Sequence, residues 1–385
     1  MGLPLCLAIS SAGILVRGID VDSTKIDRVN AGISDIGDVE NSEIKKQISN
    51  QTFSAFTSFS ALKDSNIIIV CVPTPLKEDR TPDYSFVKHA AESIAPWLKK
   101  GDLVVLESTV APGFTREIFL PILEAISGLN HRDFYLAYSP ERVDPGNLTW
   151  RLKNTPKIVA GLNEISLQKS SQFYSEFVDT VVTCDSLEIA EMAKILENSF
   201  RFINISFINE VNILTNKLKI DLRKVIDAAK TKPYGFMEFY PSLGAGGHCI
   251  PVDPKFLSQI ATRVKSPLKF LDLAEEINLG LPTVFVNYLE NQIGSLVRKS
   301  ILVIGIAYKP NVADVRESPA LALILELRRK QASVSWHDDY VKNWNSEQSV
   351  PILPNYDLAI IATHHEHLDL NKLRDTPTFY ATQLI

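Results

Sequence analysis

SNIIIVCVPTPLKEDRTPDYSFVKHAAESIAPWLKKGDLVVLEST, residues 65–109, decides the fold. A run rich in Ile and Val ends in Pro-Thr-Pro, the amphipathic stretch SFVKHAAESIAPWLKK follows, and Gly101 leads into a second apolar run, DLVVLEST. Strand, helix and strand at this spacing form a β-α-β unit with parallel strands, because the connection is long enough to carry the chain back over the sheet. The same alternation continues on both sides. GLPLCLAISSA at 2–12 reads as a helix, ILVRGID at 14–20 as a strand ending in an acid, and KIDRVNAG as a short helix stopped by Gly32. FTREIFLPILEAI reads as a helix and FYLAYSPE as a strand running into a loop. The expectation is an open, doubly wound sheet of parallel strands.

From Ser186 to about Lys219 the sequence has no Gly or Pro and its apolar residues recur at helical spacing, which predicts one long helix. DLRKVIDAAKT and the segment 267–297 supply further helices. A third unit begins at Lys299: SILVIGIAY, SVSWHD and YDLAIIAT read as strands and SPALALILELRRKQA as a helix. The whole is expected to be an α/β chain of two Rossmann-like doubly wound domains joined by a long central helix and a helical middle domain. The boundaries fall at 1–185, 186–297 and 298–385.

A length of 385 residues exceeds one ordinary core, and 45% hydrophobic with 22% charged residues is a globular composition. The formal charge of -5 contains no basic block, which argues against a nucleic-acid partner. No apolar run reaches the roughly 18 residues of a membrane span and no basic lead precedes an apolar segment, so membrane insertion is not expected and the location is read as cytoplasmic. The four cysteines, Cys6, Cys71, Cys184 and Cys249, show neither a disulfide framework nor zinc-ligand spacing, and no metal is expected.

A dinucleotide site needs a strand, a glycine-rich turn, a helix, a second strand and a ribose-binding acid. Here Gly2 stands at the mouth of a helix and Asp20 at the end of the next strand. The chain opens inside that motif, so the first β-strand of the N-terminal sheet is expected to be missing, which puts cofactor binding in question. Asp20 reads either as a ribose-hydroxyl acceptor or as a solvated strand-end acid; its charge repels a 2′-phosphate and favours NAD over NADP. Pro73, Thr74 and Thr109 fall at the carboxyl ends of strands, where such sheets bind ligands.

GAGGHCIPVDP, residues 244–254, is too glycine-rich for a packed element. Cys249 within it is either a reactive thiol or a buried loop cysteine. Lys194 and Asn198, four apart on the long helix, share one face and could hold an oxyanion, or Lys194 could be a solvated lysine. Glu141, in the loop SPERVDPGN, is a further candidate acid or base.

Seven blocks in order, GLP at 2–4, CVPTP at 71–75, ESTVAPG at 107–113, SPERVDPGN at 139–147, EMAKILENSFRFINISFINE at 191–210, GAGGHCIPVDP and AYKPNVADVRESPA at 307–320, resemble the nucleotide-sugar 6-dehydrogenases of the UDP-glucose/GDP-mannose dehydrogenase family. The resemblance is to the branch acting on UDP-N-acetylglucosamine or UDP-N-acetylmannosamine. It implies a four-electron oxidation of a sugar C6 alcohol to a carboxylate, with two NAD per cycle and a Cys249 thiohemiacetal and thioester. It also implies catalytic roles for Lys194, Asn198, Asp253 and Glu141, and places Gly2, Asp20, Pro73, Thr74, Thr109 and Arg316 on the cofactor side. Arg201, Phe239, Tyr240, Gly244, Gly246, Gly247 and Lys309 fall on the sugar-nucleotide side, and a homodimer built on the long helix follows by the same resemblance, with Arg316 reaching across from the partner subunit. The rival readings are a UDP-glucose or GDP-mannose 6-dehydrogenase, and a truncated, inactive chain that binds sugar nucleotide or dimerises.

Overall fold

The computed structural model describes residues 2–382 apart from Asp35, Asp38, Pro145 and Leu148. The chain divides into two compact units, Met1–Leu196 and Glu197–Ile385.

The first unit opens with α1 (Gly2–Ser11), which leads into β1 (Val16–Ile19). α2 (Ser23–Asn30), capped by the Asp22 carboxylate on the amides of Thr24 and Lys25, and α3 (Asn41–Ser49) then carry the chain to β2 (Phe53–Phe56). β1 and β2 pair in parallel from Val16 opposite Phe53 to Ile19 opposite Phe56. The expected absence of a first strand from the N-terminal sheet is thereby corrected. The dinucleotide pattern puts that strand ahead of Gly2. The unit instead takes as β1 the run that follows α1, and β2 pairs its backbone groups along one side.

A second sheet has the order β3-β4-β5-β6-β7, with β3 (Ile67–Val70), β4 (Leu103–Leu106), β5 (Tyr135–Tyr138), β6 (Lys157–Gly161) and β7 (Val181–Cys184). α4 (Ser85–Ile94), α5 (Leu120–Ser127) and α6 (Glu164–Ser175) make its parallel connections. β5 and β6 run antiparallel, against the expectation of uniformly parallel strands. Among the described residues of 139–156 there is no helix to return the chain over the sheet, and β6 enters from the opposite end. α1 serves both sheets. Leu5 and Ile9 pack with Val105, Ala137 and Val159, while Leu7 packs with Ile26, Ile44 and Phe53. Burying each such side chain stabilises by about 1.5–3 kcal/mol.

α7 (Leu187–Lys217) is a single 31-residue helix, as the run without Gly or Pro predicts. In the second unit it is followed by α8 (Leu222–Ala229), α9 (Asp253–Arg263) and α10 (Lys269–Ile293). Next come β8 (Ser300–Ile304), α11 (Pro319–Arg329), β9 (Ser333–His337), the hairpin β10 (Asn343–Trp344) and β11 (Glu347–Gln348), β12 (Leu358–Ile361) and β13 (Thr378–Tyr380). The four longer strands form a parallel sheet of order β13-β12-β8-β9. One face of that sheet, with Val303, Trp336 and Ile360, packs on Leu323 and Leu327 of α11 and Phe285 and Leu289 of α10. Among the described residues no helix is long and apolar enough to cross a membrane.

Asp338, fully buried just after β9, ties this sheet to its loops. Its Oδ2 accepts from the amides of Ile306 and Ala307 at 2.8 and 3.0 Å, and its Oδ1 from those of Tyr340 and Val341. His365 Nδ1 accepts from the Asn311 amide, which leaves the proton on Nε2, 3.2 Å from Asp338 Oδ2. Burial alone would raise the Asp338 carboxyl; the hydrogen bonds from His365 and the amides outweigh it and hold the group down to about 2. A carboxyl held below its unfolded value contributes stability above that value and loses it as pH falls through the folded one. Asp338 should therefore contribute about 2 kcal/mol at neutral pH, lost between about pH 4 and pH 2. Urea unfolding of Asp338→Asn should show that loss at pH 7 and a flatter acid dependence; a variant as stable as wild type contradicts it.

Candidate active site

In the second unit, the backbone of 242–249 is held from three elements. Asn209 of α7 accepts the Ser242 amide at 2.8 Å. Asn278 of α10 accepts the Ala245 amide at 2.7 Å and returns its own amide to the Ala245 carbonyl at 3.3 Å. Gly247 donates to the Arg316 carbonyl at 3.0 Å. Tyr308, in the loop after β8, closes the other side. A Cβ at Gly246 would lie 2.8 Å from Tyr308 Cβ and 2.9 Å from the Glu317 carbonyl oxygen, and one at Gly247, whose φ is +85°, would meet the Tyr308 ring at 2.8 Å. The glycines thus permit a close passage of backbone past a side chain.

Cys249 follows at the approach to α9, and its carbonyl accepts from the amides of Val252 and Asp253 at 3.2 and 2.8 Å. Asp253, buried at the first turn of α9, accepts from Asn198 Nδ2 at 2.5 Å. Cys249, Asp253 and Asn198 are therefore brought together, and Arg316 lies within electrostatic reach of Cys249. The Arg316 guanidinium is clamped by Asp314, with Nη2 at 2.6 Å from Oδ2. Lys309 directly follows Tyr308 in its loop. Phe239 makes an edge contact with Phe200, ring centroids 6.1 Å apart. Tyr240 is drawn to α8, where Lys230 Nζ donates to its hydroxyl at 3.1 Å. Arg201 is exposed on α7.

In the first unit, the named residues fall at strand ends. Gly2 begins α1 with its Cβ position 3.4 Å from Cys71 Sγ, just past β3. Asp20 directly follows β1, accepts from the Asp22 amide at 3.0 Å and lies 3.5 Å from Lys25 Nζ. Pro73 and Thr74 follow β3; Thr109 follows β4 beside Ser108, whose hydroxyl donates to the Val72 carbonyl at 2.7 Å. Lys194 is buried on α7, one turn before Asn198. Glu141, after β5, accepts the amides of Arg142 and Val143 on Oε1 at 2.8 and 2.7 Å.

Sequence reasoning missed the residues that hold these groups. Asn209, Asn278 and Tyr308 act across long sequence separations. Glu191, also unmarked, accepts the amides of Gly113 and Thr115 at 2.6 and 2.9 Å and so anchors the segment after Thr109 to α7. Burial pushes it up to about 7 against those hydrogen bonds. Its place inside EMAK, a helical turn before Lys194, was the available signal. Among the described residues no group of three His, Cys, Asp or Glu is placed to hold a metal ion.

Three family models match in order: the NAD binding domain of the UDP-glucose/GDP-mannose dehydrogenase family over residues 1–178, its central domain over 188–279 and its UDP binding domain over 302–384. UDP-N-acetyl-D-mannosamine dehydrogenase of Pyrococcus horikoshii is 32% identical over 371 residues, covering 95% of this chain and 87% of the relative. UDP-N-acetyl-D-glucosamine 6-dehydrogenase of Pseudomonas aeruginosa is 32% identical over 381 residues, covering 95% and 88%. The solved structure of the P. horikoshii UDP-D-ManNAc dehydrogenase matches with TM-score 0.90 at 30% identity, covering 100% of this chain and 93% of that one.

The loop geometry predicts opposite outcomes for two alanine substitutions. Gly246→Ala must displace Tyr308 or the Glu317 carbonyl and should lower stability by about 1–3 kcal/mol. Gly280→Ala, inside α10 with nothing within 4 Å of its Cβ, should raise it by about 0.5–1 kcal/mol. Thermal unfolding of both variants checks the pair; equal shifts would remove the argument for close passage.

Proposed function

The chain belongs to the UDP-glucose/GDP-mannose dehydrogenase family, and on that premise we propose that it oxidises the C6 hydroxyl of a UDP-N-acetylhexosamine to the uronic acid with NAD. The observation that carries the reading is the joining of Cys249, Asp253 and Asn198 at the start of α9, supported by relatives named for UDP-N-acetylmannosamine and UDP-N-acetylglucosamine.

The residues at the strand ends fit the cofactor. The partly exposed Asp20 carboxylate suits a ribose diol, and the start of α1 beside Cys71 suits a diphosphate. Thr74 and Thr109 add hydroxyls at the ends of β3 and β4. NAD, when bound, accepts hydride from the sugar carbon, and two are consumed per sugar.

Each side chain has a definable task. Lys194, or a water held by Asp253, takes the proton from the C6 hydroxyl as that carbon is first oxidised. Cys249 Sγ then adds to the aldehyde to form a thiohemiacetal, which retains one hydrogen on the carbon and is oxidised to a thioester. Lys194 and Asn198, one turn apart on α7, stabilise the successive oxyanions. Glu141 takes a proton from the water that adds to the thioester, and the C–S bond breaks to give the acid and the Cys249 thiolate. Arg316 and Lys309 match the diphosphates by charge, and the glycines at 244, 246 and 247, with Arg201, Phe239 and Tyr240, form the sugar-nucleotide side.

A homodimer accompanies this reading. Phe200, Phe207 and Leu214 recur every seven residues on α7 with their side chains exposed, Phe207 at 58%. Such a stripe suits a second copy of the same helix. Sedimentation should show a dimer that Phe207→Glu weakens; a monomeric wild type would exclude it.

Turnover of a panel of sugar nucleotides should give two NADH per acid with a UDP-N-acetylhexosamine and far slower reaction with UDP-glucose or GDP-mannose. Cys249→Ser should bind the sugar nucleotide as wild type does while losing acid production by orders of magnitude. Undiminished acid formation by that variant refutes the thioester route.

A further inference from the structure

We propose that Lys157 is a positioning residue for Glu141: its buried ammonium is the charge partner of the Glu141 carboxylate and holds its Oε2 turned away from its own loop, ready to take a proton from the hydrolytic water. The inference rests on the functional reading above and adds to it a residue that no motif marked.

Lys157 opens β6, and its side chain is 6% exposed. Its Nζ lies 3.1 Å from Glu107 Oε1 and 3.9 Å from Glu141 Oε2. Glu107 follows β4 and is 1% exposed; the Tyr174 hydroxyl of α6 donates to its Oε1. Glu141, 11% exposed, has Oε1 occupied by two amides of its own loop, so Oε2 is the oxygen that faces Lys157. The loop itself is pinned to the strand that bears the lysine, since Ser139 donates to the Ile158 carbonyl at 2.7 Å and Arg142 Nη1 to the Pro156 carbonyl at 2.7 Å.

The charges in this pocket are unequal. Besides Lys157, Glu141 is within electrostatic reach of Glu107, of Tyr174 and of Cys71 just past β3, with Arg142 in its own loop. Burial pushes Tyr174 well above the phenol range and Cys71 up to about 12, so both stay neutral near pH 7. Glu107, whose carboxyl burial raises while the Lys157 ammonium pulls it down, and Glu141 then share that one cation. Without it they would face each other in a site poor in water, and one would have to take up a proton. A protonated Glu141 cannot serve. In the step concerned, the water oxygen bonds to the thioester carbonyl carbon, its proton passes to Glu141 Oε2, and the C–S bond breaks with its electron pair going to Cys249 Sγ.

The test is the pH–rate profile of Lys157→Met, Lys157→Arg and the double variant Lys157→Met/Glu107→Gln, each scored against wild type. Lys157→Met should lower kcat at pH 7 by about 10²-fold, the lower range for loss of a general base. It should leave KM within about two-fold, move the acid limb up by about one pH unit or more, and accumulate sugar thioester on Cys249, visible by mass spectrometry. Lys157→Arg should retain most of the rate. The double variant, which removes one buried charge of each sign, should return the acid limb toward wild type. An unmoved acid limb in Lys157→Met, or a double variant no faster than the single, overturns the proposal. If Lys157→Met does not fold, the two charge-balanced variants decide: both must keep a near-wild-type acid limb. The functional reading is judged separately, by the two NADH per acid formed by wild type.

Discussion

Three glycines are needed to thread residues 242–249 between Tyr308 on one side and Asn278 on the other, and the position of Cys249 depends on that passage. Glycine in an ordered segment is destabilising by about 0.5–1 kcal/mol each, or roughly 1.5–3 kcal/mol here. The bonds from Asn209, the two from Asn278 and the Arg316 carbonyl contribute about 1 kcal/mol apiece, which offsets that cost. With little left over, the loop is ordered without being deeply stabilised. Its end is fixed differently: the Cys249 carbonyl enters the hydrogen-bonding of the first turn of α9, so the thiol-bearing residue takes its place from a helix. Asp253 then joins that helix to Asn198, which makes α7 the common frame for the loop and the carboxylate.

Buried carboxylates do the remaining positioning, and their donor counts explain why they differ. Asp338 is met by four amides and His365, and its charge is favoured in spite of burial. Glu191 has two amides, too few to outweigh the same penalty, and burial lifts it up to about 7. Glu107 is raised chiefly by burial while the Lys157 ammonium pulls it down. A cation can balance more than one carboxylate where an amide cannot, which makes this last cluster responsive to a neighbouring charge and the other two essentially structural.

The sequence was readable wherever one local pattern sufficed. The strands at 67–70 and 103–106, the helix between them and the 31 residues of α7 follow from periodicity and from the placing of Gly and Pro. The β6-α6-β7 segment went unread because its strands are short and one begins with lysine, which disguises Lys157–Gly161 as a loop. The first strand differs from expectation for another reason: the dinucleotide motif puts the start of the sheet ahead of Gly2, while pairing with β2 puts it at Val16–Ile19. Within the candidate site, loop composition singles out Cys249 and helix spacing pairs Asn198 with Lys194, while Asp253 is marked by the family resemblance. Asn278 leaves no local trace of its bond to backbone 33 residues distant, and Glu191, whose amides lie 76–78 residues away, shows only its place inside EMAK.

The cysteines show how far environment, rather than residue type, settles chemistry. Cys6 and Cys71 pack around α1 and the end of β3, and burial pushes both up to about 12, a range in which the thiolate is negligible at neutral pH. Cys184, at the end of β7, is raised as well, first by burial and then by Asp185. Cys249 belongs to a different setting: amides of the first turn of α9 gather on its carbonyl, and the Arg316 guanidinium is within reach of its charge. A neighbouring cation favours a thiolate over a thiol. The same backbone passage that requires glycine at 246 and 247 brings the Arg316 carbonyl onto the Gly247 amide, with the Arg316 guanidinium within electrostatic reach of Cys249.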